Sequence, residues 1–391
     1  MASRGGAFVL LVLCSLPVLL APQAAGATMK PLVPAMFVFG DSLVDVGNNN
    51  HLRKCNDSCK ANHRPYGVDY PSHSPTGRFS NGYNMADQLA QLLGFAESPP
   101  PLLSLTNAAR LGRLKSTCGI NFASGGSGLL PTTGGASVCG GEVVSMAEQV
   151  GNFTRLVRTW ERQKRRRQAA EAARLVSRSL VFISVGSNDL FEYSDFFADP
   201  RNRNASRNDA AFLQGLVAFY AAYVKDLYAA GATKFSVVSP SLVGCCPSQR
   251  KVARDSHDLD ELGCLRAANN LSGQLYLMIG SMLRNLSQEL PGMKYSLGDA
   301  IGMARWIFAH ARRPPNKFSS IGRPCCGSGD FGETGCSSNV ELCQNRSSFF
   351  FWDRFHPTEA VSALTSIQLF CDNGTFVHPI NVQQLVASSR P

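Results

Sequence analysis

Phe37-Val38-Phe39-Gly40-Asp41-Ser42-Leu43-Val44-Asp45-Val46-Gly47-Asn48-Asn49 is the stretch that decides how this chain is read. With Met36 it opens on an apolar run of β-branched and aromatic residues, which predicts a buried strand over 36–39. Ser42 falls just past the strand's carboxyl end, where α/β folds place their ligand crevice. Similar runs stand at 120–123, 180–185 and 235–238, with a weaker one at 294–297. Helical patterns lie between them, at 83–93 closed by Gly94, 146–173, 209–230 closed by Gly231, and 263–290 before Pro291. A glycine after the last apolar turn stops a helix. Strand and helix alternating in this order predict an α/β chain, with a central parallel sheet between two layers of helices. A last helix is expected over 358–370, with Pro357 at its first position and His356 just before it.

A serine hydroxyl attacks poorly until a base takes its proton, so Ser42 needs a histidine beside it. Alone, Asp-Ser after a strand is commonly a helix cap. Asp353-Arg354-Phe355-His356-Pro357 supplies the missing partners. An Asp and a His three residues apart before a helix can face one crevice, His356 as base and Asp353 orienting it. No other histidine has an acid so placed beside a predicted helix start. Acyl transfer also needs donors where the oxyanion develops. Asn121-Phe122-Ala123-Ser124-Gly125-Gly126-Ser127-Gly128 follows the second strand and can expose a backbone N–H. Val185-Gly186-Ser187-Asn188-Asp189 follows the third and can offer the Asn188 amide. Each segment is also explicable as a plain turn.

Together and in this order, the four segments resemble the conserved blocks of the GDSL esterase/lipase family within the SGNH hydrolases, specifically its plant secreted branch. The resemblance implies a flavodoxin-like three-layer α/β/α fold and a serine ester hydrolase working through an acyl-enzyme without a cofactor. It puts the nucleophile on Ser42, the acid and base on Asp353 and His356, and the oxyanion donors on Ser42, Gly125 and Asn188, with Gly126 as the alternative glycine. Thr76-Gly77-Arg78-Phe79-Ser80-Asn81-Gly82, Gly244-Cys245-Cys246-Pro247 and Pro324-Cys325-Cys326-Gly327 extend it over nearly all of the chain beyond its first residues. Tyr295-Ser296-Leu297-Gly298-Asp299-Ala300 departs from it, since similar enzymes usually carry a tyrosine just after the aspartate. The resemblance leaves the substrate open among acyl lipids, cuticle-type esters, phenolic esters and acetylated wall polysaccharides.

The N-terminus carries Arg4, an apolar run over 7–20 and small residues at 25–27, the pattern of a signal peptide. We therefore expect a signal over 1–27 and one hydrolase domain over 28–391. The apolar run is too short for a span of roughly 20 residues, so no stable membrane insertion is expected. The sequence has 13 cysteines, and removing Cys14 leaves an even number in an exported chain, which predicts disulfides, with vicinal cysteines pairing outward. Zinc-ligand spacing is missing. Sequons at Asn56, Asn152, Asn204, Asn270, Asn285, Asn345 and Asn373 agree with export, to a cell wall or apoplast if the plant resemblance holds.

The formal charge of +10 includes Arg162-Gln163-Lys164-Arg165-Arg166-Arg167, which runs into a helix-forming stretch and reads as a solvated helix face rather than a nucleic-acid site. Outside a cell, that charge favours acidic cell-wall polymers. Gly327-Ser328-Gly329-Asp330-Phe331-Gly332 fits a dinucleotide pattern but sits in a cysteine-rich loop, and the G-x-S-x-G elbow is absent around Ser42. The rival of another class is a silent binding protein on the same scaffold. It would not require Ser, Gly, Asn, Asp and His together.

Overall fold

In the computed structural model, β1 (Met36–Gly40) is buried at all five positions, and its side chains alternate between two cores. Phe37 and Phe39 enter one cluster, Met36 and Val38 the other, as a period of two requires. The structure describes residues 30–106, 109, 118–135, 139–162, 166–313 and 317–388. The expected signal segment, 1–27, lies outside them.

In chain order β1 is followed by α1 (Met85–Leu92), β2 (Gly119–Asn121), α2 (Met146–Arg162), α3 (Arg166–Arg178), β3 (Leu180–Ser184) and α4 (Ser187–Ala198). Then come α5 (Asp209–Ala229), β4 (Lys234–Val238), α6 (Pro247–Ser256), α7 (Arg266–Glu289), β5 (Lys294–Gly298) and α8 (Ala300–Ala309). The chain ends through β6 (Ser320–Pro324), β7 (Phe349–Phe351), α9 (Glu359–Cys371), β8 (Val377–Pro379) and α10 (Val382–Ala387). The main sheet has the order β2-β1-β3-β4-β5-β8, parallel except for β8. Helices α2, α3, α5 and α7 cover the face that carries Phe37 and Phe39. Helices α1, α8, α9 and α10 cover the face that carries Met36 and Val38. This is the three-layer α/β/α arrangement expected. Contacts unite Pro31–Pro391 in one compact unit, and no described helix is long and apolar enough to cross a membrane.

The order reverses direction at β1 and β3, so the loops after these strands diverge and leave a crevice at their carboxyl ends. Gly40 lets the two strands close there. Its φ is +145°, and a Cβ would lie 2.0 Å from the Ser184 carbonyl oxygen. On the core side Phe39 stacks on Phe122 at 4.9 Å and meets Phe153 edge-on at 5.6 Å. Losing such a buried ring typically costs about 3–5 kcal/mol, so β1 is a rigid base for the turn at its carboxyl end.

The sequence pattern placed the five parallel strands and missed several shorter elements. The helix expected over 146–173 is described as α2 and α3, with 163–165 between them outside the described residues. Helices α4, α6 and α8 emerge from segments read as loops or left unassigned. Pro357 is not helical, because Thr358 is extended and donates its N–H to Phe350 O and its Oγ1 to Phe349 O, which delays α9 to Glu359. The glycine-rich decoy at 327–332 does follow a strand, β6, but this belongs to a separate two-stranded sheet and no helix opens there.

Four disulfides join described cysteines: Cys59–Cys139, Cys245–Cys264, Cys325–Cys343 and Cys326–Cys336. The vicinal cysteines that pair do so outward, but Cys246 stays a buried thiol, as does Cys55. The Cys55 sulfur lies within 4.8 Å of the Cys59–Cys139 sulfurs. The last two disulfides brace β7 through backbone bonds from Cys325 N to Phe351 O (3.0 Å) and from Cys326 N to Trp352 O (2.7 Å). Cys325–Cys343 closes a loop with a sequence separation of 18, for which chain entropy gives about 3 kcal/mol. Replacing both cysteines with serine should therefore lower the calorimetric unfolding midpoint by several degrees; an unchanged midpoint would mean that this closure does not hold β7.

Candidate active site

Ser42 stands in a single turn that caps β1. Asp45 N and Val44 N donate to Asp41 O, and Leu43 N donates to Asp41 Oδ1. The turn lifts the hydroxyl to the crevice, where Ser42 Oγ lies 2.7 Å from His356 Nε2. The other ring nitrogen, Nδ1, lies 2.8 Å and 2.9 Å from the two Asp353 oxygens. Asp353 and His356 belong to a tight loop between β7 and α9, closed by Trp352 N donating to His356 O. Asp353 shapes that loop itself, because its Oδ1 accepts the N–H groups of Phe355 and His356, each at 2.8 Å. This local use of an Asp side chain explains why a spacing of three brings carboxylate and imidazole together. Burial pulls the Asp353 carboxyl upward, but His356 and the two backbone donors outweigh it and hold the group below the usual carboxylate range.

The loops after β2 and β3 complete the crevice. Asn188, in the first turn of α4, donates Nδ2–H to Ser127 O at 2.9 Å, which orients the amide, and lines the same cavity as Ser42 and His356. Gly125 does not fit the donor role expected of it. Its N–H is directed to Asp45 Oδ2 at 3.1 Å. Gly126 lines the cavity instead, at φ +86°, and a Cβ there would lie 2.5 Å from Cys139 Sγ.

The sequence reading gave no role to the polar residues that set these loops. Buried Asp45 accepts from Gly47 N (2.8 Å), Asn48 N (2.7 Å) and Gly125 N, tying the first loop to the second. Asn48 donates to the Asn121 and Ala123 carbonyls, and Asn49 to those of Cys59 and Gly125. Gln149, from α2, accepts from Gly40 N and donates to Gly40 O, Ser127 Oγ and Val144 O. Asp189 takes the N–H groups of Leu129 and Leu130 and the hydroxyl of Thr133. Two aromatic residues were also passed over. Phe79 packs on the His356 ring at 4.9 Å, and Tyr66 OH donates to Asp353 Oδ2 at 2.8 Å. Neither stands out in the excursion over 48–82, where Leu52, Val68 and Tyr70 are also apolar or aromatic, and nothing in spacing ties them to residue 353.

The cavity behind Ser42 measures about 220 Å³. Its lining includes the apolar Val238, Leu242, Met303, Ile307, Phe308 and Val361, and from α4 Ser187, Asn188, Phe191, Glu192 and Asp195.

Comparison with known proteins gives a consistent set. The family model of the GDSL-like lipase/acylhydrolases matches residues 36–366. The chain is 32% identical to the Arabidopsis thaliana GDSL esterase/lipase At5g55050, over 94% of this chain and 94% of that protein. It is 35% identical to the A. thaliana GDSL esterase/lipase At1g71691, over 91% and 86% respectively. A third A. thaliana relative, GDSL esterase/lipase At4g16230, is 32% identical over 90% of this chain and 91% of its own length.

Asp41 adds a titration beside Ser42. Its Oδ2 is buried without a hydrogen-bond partner among the described residues, and burial pushes the carboxyl up to about 7 against the pull of Leu43 N and His356. Between the ordinary Asp value of 3.8 and that raised value, the folded chain keeps a proton that the unfolded chain has lost. This group's contribution to stability is thus complete at low pH and declines as pH rises through the interval. Asp41→Asn should melt progressively higher relative to the parent as pH goes from about 5 to about 8; a gap that stays constant would contradict the raised value.

Proposed function

We propose that this chain, which belongs to the GDSL-like lipase/acylhydrolase family and is a carboxylic ester hydrolase, cleaves acyl-chain esters through an acyl-enzyme on Ser42. The observation that carries the reading is the unbroken line from Asp353 through His356 to Ser42 Oγ at the mouth of an apolar cavity. His356 Nε2 takes the Ser42 proton as Oγ bonds to the ester carbon, and Asp353 stabilises the imidazolium. Negative charge gathers on the former carbonyl oxygen, facing the Asn188 amide and the backbone N–H groups of Ser42 and Gly126. Each such donor is worth roughly 3–4 kcal/mol of barrier. Collapse breaks the bond to the alkoxy oxygen, which leaves as the alcohol with the proton from His356. Water then repeats the sequence on the acyl-enzyme and releases the acid.

The mixed lining of the cavity supports a division of the substrate. The apolar lining from β4, α8 and α9 suits the acyl chain, since burying each methylene contributes about 0.8 kcal/mol. The polar lining from α4 suits a neutral, hydroxyl-bearing alcohol, because Asp195 and Glu192 would repel an anionic one. Acetyl esters of wall polysaccharides would leave the apolar lining uncovered. Export from the cell is part of the proposal. Disulfides belong to oxidising compartments, and the sequons at Asn56, Asn204, Asn270, Asn285, Asn345 and Asn373 are exposed. The basic balance also suits retention on acidic wall polymers.

Nitrophenyl esters of increasing acyl length, assayed beside acetylated xylan, test the reading. kcat/KM should rise from acetate to chains of several carbons, with xylan the poorer substrate and all turnover lost in Ser42→Ala. A preference for acetate or xylan would overturn the substrate assignment, and turnover surviving in Ser42→Ala would overturn the nucleophile.

A further inference from the structure

We infer that Tyr66 is a positioning residue for the hydrolytic reaction, acting through Asp353, and the inference rests on the triad proposed above. Asp353 receives two kinds of support. Its Oδ1 is fixed by its own loop, through Phe355 N and His356 N. Outside that loop and the imidazole, the hydrogen bond that Oδ2 accepts comes from Tyr66 OH, 287 residues away in sequence. A carboxylate held at one oxygen can still swing the other about its Cβ–Cγ bond. A donor on the second oxygen fixes the plane and therefore the bearing of His356 on Ser42.

The donor is built in rather than incidental. Tyr66 is 8% exposed in a small core with Ala61, Phe79, Cys325, Cys326 and Trp352. Its ring meets Phe79 and Trp352 edge-on at 6.2 and 6.3 Å. The backbone that carries it is held by neighbouring segments. Gly67 N donates to Ser80 O, and Asp69 N to Asn81 O. Arg346 grips both oxygens of Asp69 at 2.6 Å. Asn81 donates to Asp69 Oδ2 and accepts from Glu359 N, the first residue of α9. The excursion over 48–82 is thereby fastened to both sides of the loop that holds Asp353 and His356. Burial and the adjacent Asp353 charge keep the phenol well above its ordinary value, so it remains a neutral donor.

Tyr66→Phe removes the hydroxyl and keeps the ring. The titratable groups around the site are His356 and Tyr66 against Asp353, the Cys246 thiol, which burial and the Asp353 charge push up, Asp41, which feels His356, and His63 edge-on to Tyr66. Without the phenol, Asp353 turns more of its charge toward the imidazolium, so the acidic limb of kcat/KM should move to higher pH. Looser aim should lower kcat about tenfold, the scale of one hydrogen bond to a charged group, with little change in KM.

The experiment compares the parent, Tyr66→Phe, Asp353→Asn and the double variant, with rates expressed per Ser42 titrated by a phosphonate. The expected result is the shifted limb and lower kcat in Tyr66→Phe, and no further loss when Tyr66→Phe is added to Asp353→Asn. A Tyr66→Phe profile that overlays the parent's, or the same factor lost in both backgrounds, would overturn the positioning role. Near-parental turnover in Asp353→Asn would instead sink the triad itself, so the two failures are distinct.

Discussion

Everything at the crevice depends on one buried carboxylate, that of Asp353. Taking a carboxylate out of water costs several kcal/mol unless donors replace the solvent. Here the donors are two backbone N–H groups of its own loop, the His356 ring and the Tyr66 hydroxyl. Each requirement reaches further into the fold. The loop needs β7, which the Cys325 and Cys326 disulfides brace. The hydroxyl needs the excursion over 48–82, which the Arg346–Asp69 pair fastens. Neutralising one internal charge thus explains why segments far apart in sequence converge on one small core around Trp352.

A second set of buried polar groups does the same for the loops at the strand ends. Asp45 joins the turn after β1 to the glycine segment after β2, and Asp189 joins α4 to the residues just beyond that segment. Both carboxylates accept backbone N–H groups, which makes them staples rather than participants in proton transfer. Their positions also explain the glycine assignment. Asp45 takes the Gly125 N–H, and Gly126 is the glycine of this segment that lines the cavity.

How much of this was legible in the sequence depends on the range of each interaction. Strands such as 36–40 and 180–184 are buried on both faces, so they print continuous apolar runs. That Ser42, Asp353 and His356 would meet at one crevice was legible because a strand end and a pre-helical loop are local features, and their residues resemble known blocks. Helix α4 was not, since Ser187-Asn188-Asp189 also suits a turn and only Gly186, at φ 117°, sets the helix start. Strand β8 has three residues, including Pro379, and forms only by pairing with β5. Tyr66, Asn48 and Gln149 act across 287, 73 and 109 positions. No periodicity or spacing encodes contacts of that range.

The central claim is that Ser42 is activated by His356 in this geometry. Treating the purified protein with a fluorophosphonate and mapping the adduct by peptide mass spectrometry tests it most directly, with His356→Ala as comparison. The account predicts one adduct, on Ser42, formed at least a hundredfold more slowly in His356→Ala, since a positioned base contributes about 100- to 10,000-fold. An adduct on another serine, or equal rates in the two proteins, would contradict it.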